Sequence, residues 1–306
     1  MLNVLVKRLP QMLLVMWGIA TIVFFMQRLI PGNPADVILG ADATLSAKTE
    51  WLVKYGFDKP ILQQYFIYFK NIAVGDLGRS FSDYSPVMSL ILPRLWNTAQ
   101  LALFAFGLSL TIAILLGVIS AANAGNFVDK SAAMASLLAV SAPSFIIGPI
   151  LMWVFSVKLD WFPLTGNEGI KSFILPGVTL GAALAALTSR MIRSGLVDVL
   201  SEDYIRTARS KGLSEFTVLF KHALRNAFLP ALTILGVQLG VLLSGAVITE
   251  QLFSWPGLGS LTVESVQSRE YNVVSGCVLV MALVYVSCNL LVDILYRVLD
   301  PRVRLQ

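Results

Sequence analysis

Six stretches of this chain are each apolar enough to form a membrane span, and that property limits the folds open to it. An α-helix needs about 20 apolar residues to cross the hydrocarbon core of a bilayer. The stretches are residues 9–29, 98–121, 132–157, 173–189, 228–249 and 273–296. The fourth is the shortest and is interrupted by Pro176, Gly177 and Gly181. Composition agrees: only 13% of the 306 residues are charged and 56% are hydrophobic, whereas a soluble domain carries about 25% charged residues. The expected fold is all-α and polytopic, with six transmembrane helices. We divide it into residues 1–94, a first span with a large loop, and residues 95–306, a five-helix core with a loop at about 190–226.

The first stretch follows Lys7 and Arg8, as a signal peptide would. Its apolar run exceeds the 7–15 residues of a signal h-region, and no small-x-small cleavage site follows it. It reads as an uncleaved span with its N-terminus in the cytoplasm. Six spans then return the C-terminus to the same side. The pieces on that side hold Lys7, Arg8, Lys130, Arg190, Arg193, Arg206, Arg209, Lys211, Lys221, Arg225, Arg297, Arg302 and Arg304, more than half of the 23 Lys and Arg. Basic residues near span ends favour the cytoplasm.

Polar residues within the stretches are few: Gln100, Gln238 and Asn289, with Glu250 and Asp293 near the ends. In lipid such groups face a bundle interior or an aqueous path. Asp293 and Arg297 stand four residues apart, the spacing of a local ion pair. The pairs Gly177…Gly181 and Gly236…Gly240 have the small-residue spacing that lets helices approach closely. Cys277 and Cys288 lie eleven residues apart in one apolar run. That is about 16 Å along a helix, too far to bridge, so they read as packing residues.

The segment from Ser201 to Pro230 is the most informative. Ser201 is placed as an N-cap, with Glu202 and Asp203 in a first turn where the helix dipole favours acids. Arg209 and Lys211 fall in the last turn, and Gly212 is placed as a left-handed stop. Ser214 and Glu215 repeat the start signal for a second helix to about Asn226, with Pro230 in the first turn of the next span. Leu200, Tyr204 and Ala208 share one face with Ile205 alongside. Such a short amphipathic helix fits a membrane surface or a groove on a partner protein.

This segment resembles the cytoplasmic EAA-type loop of binding-protein-dependent ABC importer permeases, in particular the dipeptide/oligopeptide/nickel branch. The match runs Asp203-Tyr204-Ile205-Arg206-Thr207-Ala208-Arg209-Ser210-Lys211-Gly212, then His222-Ala223-Leu224-Arg225-Asn226, then Leu229-Pro230. Arg206-Thr207-Ala208 stands where the wider superfamily has Glu-Ala-Ala. Leu29-Ile30-Pro31-Gly32-Asn33-Pro34 is similar to the branch's LPGDP run, with Asn33 for Asp. Phe253-Ser254-Trp255-Pro256-Gly257-Leu258-Gly259 and Arg269-Glu270-Tyr271 resemble its later outer-loop motifs.

The resemblance implies a type I ABC importer permease in the bacterial cytoplasmic membrane, with both termini cytoplasmic. It implies as partners a second homologous permease subunit, two ABC ATPase subunits that bind ATP and Mg, and a periplasmic or lipid-anchored solute-binding protein. The helix ending at Gly212 becomes the coupling helix, with Asp203, Tyr204, Ile205, Arg206, Thr207, Ala208, Arg209, Lys211 and Gly212 as its ATPase contacts. On that reading the basic residues meet acids on the ATPase, and Tyr204, Ile205 and Ala208 fill its apolar groove. The translocation path is expected to pass Gln238, Ser244 and Glu250. Short peptides are the expected substrate, with glutathione or a nickel chelate as alternatives.

Other classes fit less well. No Gly-Lys dipeptide occurs, so the chain has no phosphate-binding loop of the G-x-x-x-x-G-K-[ST] kind and needs a partner to hydrolyse ATP. No G-x-S-x-G occurs, and His222 is the one histidine, which argues against an intramembrane hydrolase and a metal centre. An ion-driven secondary transporter would carry ion-coordinating groups at mid-span, where this chain has no acid. A purely structural membrane protein would leave the capped loop without a purpose. No feature points to nucleic acid.

Overall fold

The computed structural model describes residues 2–29, 34–40 and 42–299. The run 30–33 of the Leu29–Pro34 motif, the side chain of Arg297 and the tail from Asp300 lie outside the described residues. In chain order the helices are α1 (Leu2–Leu29), α2 (Pro34–Leu39), α3 (Leu45–Lys54), α4 (Ile61–Ala73), α5 (Val87–Ala122), α6 (Phe127–Ser141) and α7 (Ser144–Leu151). There follow α8 (Ile174–Leu200), α9 (Asp203–Ser210), α10 (Glu215–Thr217), α11 (Leu224–Ala227), α12 (Leu229–Leu243), α13 (Val247–Leu252), α14 (Leu258–Gln267) and α15 (Tyr271–Leu299). π-helical turns at Met152–Lys158 and Val218–Ala223 extend α7 and join α10 to α11. No strand forms among the described residues; Arg79 and Pro86 make an isolated bridge.

Four helical stretches have the length and composition of a span: Arg8–Leu29, Val87–Ala122, Ile170–Leu200 and Tyr271–Ile294. Two bent pairs complete the expected six if each counts as one. The first, Phe127–Ser141 with Ser144–Lys158, turns by 107°. Pro143 explains the break: it pushes Ala142 out of the helical region (ψ 119°) and starts α7 as its cap. The second, Glu215–Ala227 with Pro230–Leu243, bends by 54°. The run expected to continue through Thr249 stops at Leu243, because Gly245 takes φ +117° before α13 begins.

The fourth span departs most from its sequence reading. The helix continues eleven residues beyond Ser189, and half of its apolar window is covered by protein. Arg190 reads as the edge of the membrane, but Ile192 and Leu196, both fully buried, carry the apolar stripe onward.

The chain forms two compact units. The first comprises residues 1–97 and 257–283, so α14 and the start of α15 join the N-terminal segment. Val87, Ile91, Leu258, Leu261, Val273 and Cys277 form one of its cores, and Ala35, Trp51 and Phe81 form another. Glu270, nearly fully buried, clasps the 80–82 turn. It accepts from the backbone N–H of Phe81 (2.8 Å) and of Ser82 (2.7 Å), and from the Ser82 hydroxyl. That clasp gives the acid in Arg269-Glu270-Tyr271 a physical purpose.

The second unit comprises residues 98–256 and 284–306 and is organised around α8. Its core holds Ala113, Leu184, Ile192, Leu196, Ile205, Val218 and Leu235. Both glycine pairs sit at close helix crossings. A Cβ at Gly177 would lie 2.7 Å from the Phe104 ring, and one at Gly181 3.0 Å from the Ala105 carbonyl. At Gly236 it would meet Val292 at 2.4 Å, and at Gly240 Cys288 at 3.4 Å. Trp255 is fully buried with its ring edge-on to Phe173, 4.6 Å between centroids.

Candidate coupling surface

The loop after α8 is built from short caps and one left-handed residue. Ser201 closes α8: its hydroxyl donates to the Asp198 carbonyl at 2.7 Å. This corrects the expected role of Ser201 as the N-cap of the next helix. α8 runs on to Leu200, so the cap position of α9 passes to Glu202, extended at ψ 148° and without a side-chain cap bond. Asp203 still opens α9, and Thr207 donates from its hydroxyl to the Asp203 carbonyl at 3.0 Å.

α9 stops where Gly212 takes φ +78°, with the Gly212 N–H donating to the Arg209 carbonyl at 2.9 Å. No atom lies within 4 Å of the place a Cβ would occupy, so backbone geometry alone demands glycine there. Ser214 then caps α10, its hydroxyl accepting from the Thr217 N–H at 3.4 Å.

The helix has two faces, and they divide the expected contact residues. Ile205 is 0% exposed and Ala208 is buried beside it, both packed in this chain's own core with Val218 and Ala223. They therefore anchor α9 and are not free to fill a partner's groove, which corrects that expectation. Tyr204, Arg206, Thr207, Arg209, Lys211 and Gly212 remain exposed. The Tyr204 hydroxyl accepts from the Asn226 amide at 2.9 Å.

The cations are not equivalent. Arg206 lies 3.6 Å from Asp203 in an open i,i+3 pair. Arg209 reaches across the Gly212 turn and grips Glu215 with two bonds, of 2.8 and 3.2 Å. Its guanidinium braces the two helices together, leaving Arg206 and Lys211 as the outward positive charges.

Two features of this region were not read from the sequence. Phe216 is 70% exposed and pairs with Phe220, ring centroids 4.6 Å apart, and Leu213 is exposed nearby. Their i,i+4 spacing was the available signal. The other is a clamp at the base of α8. Asp129 at the start of α6 receives Arg193 Nε and Nη2 at 2.5 and 2.6 Å, the Ser120 hydroxyl at 2.5 Å and the Gly125 N–H at 2.8 Å. The end of α5, the 123–126 turn and α8 thereby share one carboxylate. Removing one partner strands the other's charge. Asp129→Asn or Arg193→Met alone is expected to lower the unfolding temperature in detergent by several degrees, and the double variant by less than the sum. Thermal unfolding of the three variants checks this, and strict additivity would remove the clamp.

Among the described residues, no three His, Cys, Asp or Glu side chains come together as ligands for a metal ion. The arrangement is mechanical: an anchored, capped rod with exposed cations and aromatics at the end of a half-covered span.

Residues 113–305 match the family model described as binding-protein-dependent transport system inner membrane component, and residues 1–102 match the model for the N-terminal part of such membrane components. The chain belongs to this family. It is 38% identical over 304 residues to the glutathione transport system permease protein GsiC of Escherichia coli (strain K12), covering 99% of both chains. It is 39% identical over 310 residues to the protein of that name from Salmonella choleraesuis, again covering 99% of each. The inward-facing MetNI methionine ABC transporter shares the fold, with a TM-score of 0.56 at 17% identity over 70% of this chain and 97% of that one. The protein is thus the membrane permease component of an ABC importer, in the dipeptide/oligopeptide/nickel branch.

The three residues expected along the permease's path are placed differently from one another. Gln238 on α12 is half-buried. Ser244, the residue capping α12, is also half-buried and donates its hydroxyl to the Val241 carbonyl at 2.8 Å. Glu250 on α13 is fully buried and accepts from the Thr98 hydroxyl at 2.6 Å. It therefore faces no open path in this structure; it holds α13 to α5.

Proposed function

We propose that this permease pairs with a second, homologous permease subunit, and that two ATPase subunits on the cytoplasmic side drive the assembly. On this reading both termini and the 200–227 loop are cytoplasmic. The observation that carries it is the two-sided packing of α9. Ile205 and Ala208 fix the helix to its own bundle, while Tyr204, Arg206, Lys211, Leu213 and Phe216 project outward. An ATPase docked there, with acids facing Arg206 and Lys211 and a groove receiving the aromatics, pushes on a part that cannot slip. Closure of the ATPases around ATP and Mg then shifts α8, and the bundle alternates between its two openings. A periplasmic or lipid-anchored solute-binding protein delivers the substrate, and Gln238 and Ser244 are the residues we place along the path.

The substrate we propose is a short peptide. The relatives named as glutathione permeases, matched along their full length, make glutathione, itself a tripeptide, the first candidate. Two measurements test the proposal together. Isothermal titration of the solute-binding protein made with this permease is expected to show binding of glutathione or a short peptide and none of free nickel. Uptake into vesicles holding the whole assembly is expected to require ATP and to survive an ionophore. Uptake that persists without ATP and collapses with the ionophore would overturn the transport mechanism; binding of nickel alone would overturn only the substrate.

A further inference from the structure

The large segment before α5 carries a helix whose apolar residues do not all serve the protein's own core. One face of α4 packs on the last turns of α1. The Thr21 and Tyr65 hydroxyls are 2.8 Å apart, the Tyr65 ring stands edge-on to Phe24 at 5.2 Å, and Arg28 donates Nε and Nη2 to the side-chain Oε1 of Gln64 at 3.1 and 2.6 Å. Helical geometry turns about 100° per residue, which puts Leu62 and Phe66 on a different face. They are 72% and 70% exposed. Among the exposed polar residues, Lys70 and Gln63 border Phe66, about 40° and 60° further round, and Asn71 lies about 140° from it.

The neighbouring surface identifies what covers Leu62 and Phe66. At the level where α4 is attached, α1 itself exposes Ile22, Phe25, Met26 and Leu29. α1 has the length and composition of a span, so those residues face acyl chains. α4 meets that lipid-facing surface through Tyr65, whose ring stacks with Phe25 at 6.3 Å between centroids, and Asn71 lies on the side away from Leu62 and Phe66. This is the pattern of a helix lying in the membrane interface, with tyrosines at headgroup level.

We propose that α4 is seated in the bilayer interface of the leaflet around the C-terminal end of α1, with lipid covering Leu62 and Phe66. The seat ties the 30–94 segment to the membrane independently of the six spans. It rests on α1 crossing the bilayer and not on the proposed substrate or ATPase docking.

Spin labels on single cysteines test it, in the full chain in proteoliposomes with Cys277 and Cys288 replaced by alanine. Collision with oxygen, which enters lipid, is compared with collision with a water-soluble nickel chelate. At Phe66→Cys the oxygen-to-nickel ratio is expected to match that at Phe25→Cys on α1 and to exceed that at Asn71→Cys about tenfold. A ratio at residue 66 equal to that at residue 71 would overturn the proposal, and so would a site shielded from both reagents, which would mean a protein partner. A photoactivatable phospholipid applied to the unsubstituted chain gives an independent reading. Peptides carrying Leu62 and Phe66 are expected to be labelled, and their absence among labelled peptides would also overturn the proposal.

Discussion

Replacing Gly212 with valine is expected to leave the assembled transporter hydrolysing ATP while substrate uptake falls about tenfold. The residue sits at φ +78°. A side chain with a Cβ pays about 1–2 kcal/mol to remain in that region, and each 1.4 kcal/mol is a factor of ten in an equilibrium. Space is not the obstacle, since nothing approaches within 4 Å of the missing Cβ. The valine chain relieves the strain by unwinding the turn between α9 and α10, and the Arg209–Glu215 brace loses its geometry with it. Asparagine tolerates the left-handed region far better, so Gly212→Asn is expected to retain most of the coupling. Uptake and ATPase rates measured side by side on the two variants distinguish the causes. If valine and asparagine behave alike, backbone conformation at this position does not govern coupling.

Truncating Glu270 to alanine is expected to be the most destabilising single change in the first unit. The carboxylate accepts from two backbone N–H groups, of Phe81 and Ser82, at a site almost closed to water. Each orphaned donor costs about 1–3 kcal/mol. Glutamine keeps one acceptor oxygen and is expected to lose roughly half as much. Thermal unfolding in detergent reads the loss, and limited proteolysis locates it, with new cleavage expected near residues 79–86. An alanine variant that unfolds at the wild-type temperature, with no new cleavage, would show that the turn is held by other contacts.

Local chemistry made much of this molecule legible. Apolar run length located the spans, because the cost of exposing or burying twenty residues dwarfs any later adjustment. Gly212 and Ser214 were readable since a left-handed stop and a hydroxyl cap are decided by one or two residues and their immediate neighbours. The glycine pairs on α8 and α12 announced close crossings, though not which helix would fill them. What could not be read depended on distant partners. Ile205 and Ala208 look identical in sequence whether they meet an ATPase or Val218 and Ala223. Glu250 resembles a path residue until Thr98 is placed against it. Asp129 and Arg193 are 64 residues apart and carry no periodic signature. The 107° turn at Ala142-Pro143 was within reach, because proline restricts the residue before it; an unbroken apolar run masked it.

α8 has a geometric consequence for how a small motion becomes a large one. Its 27 residues extend without an internal break from Ile174, beside the Phe173–Trp255 contact, to Leu200, where the loop that carries α9 begins. At 1.5 Å per residue that is about 40 Å. Pivoted at the loop end, a tilt of about 5° sweeps the far end through about 3.5 Å over such a length. That displacement is close to the diameter of a water molecule, so a rotation too slight to unpack the glycine crossings along the helix is enough to admit or exclude solvent at its distant tip.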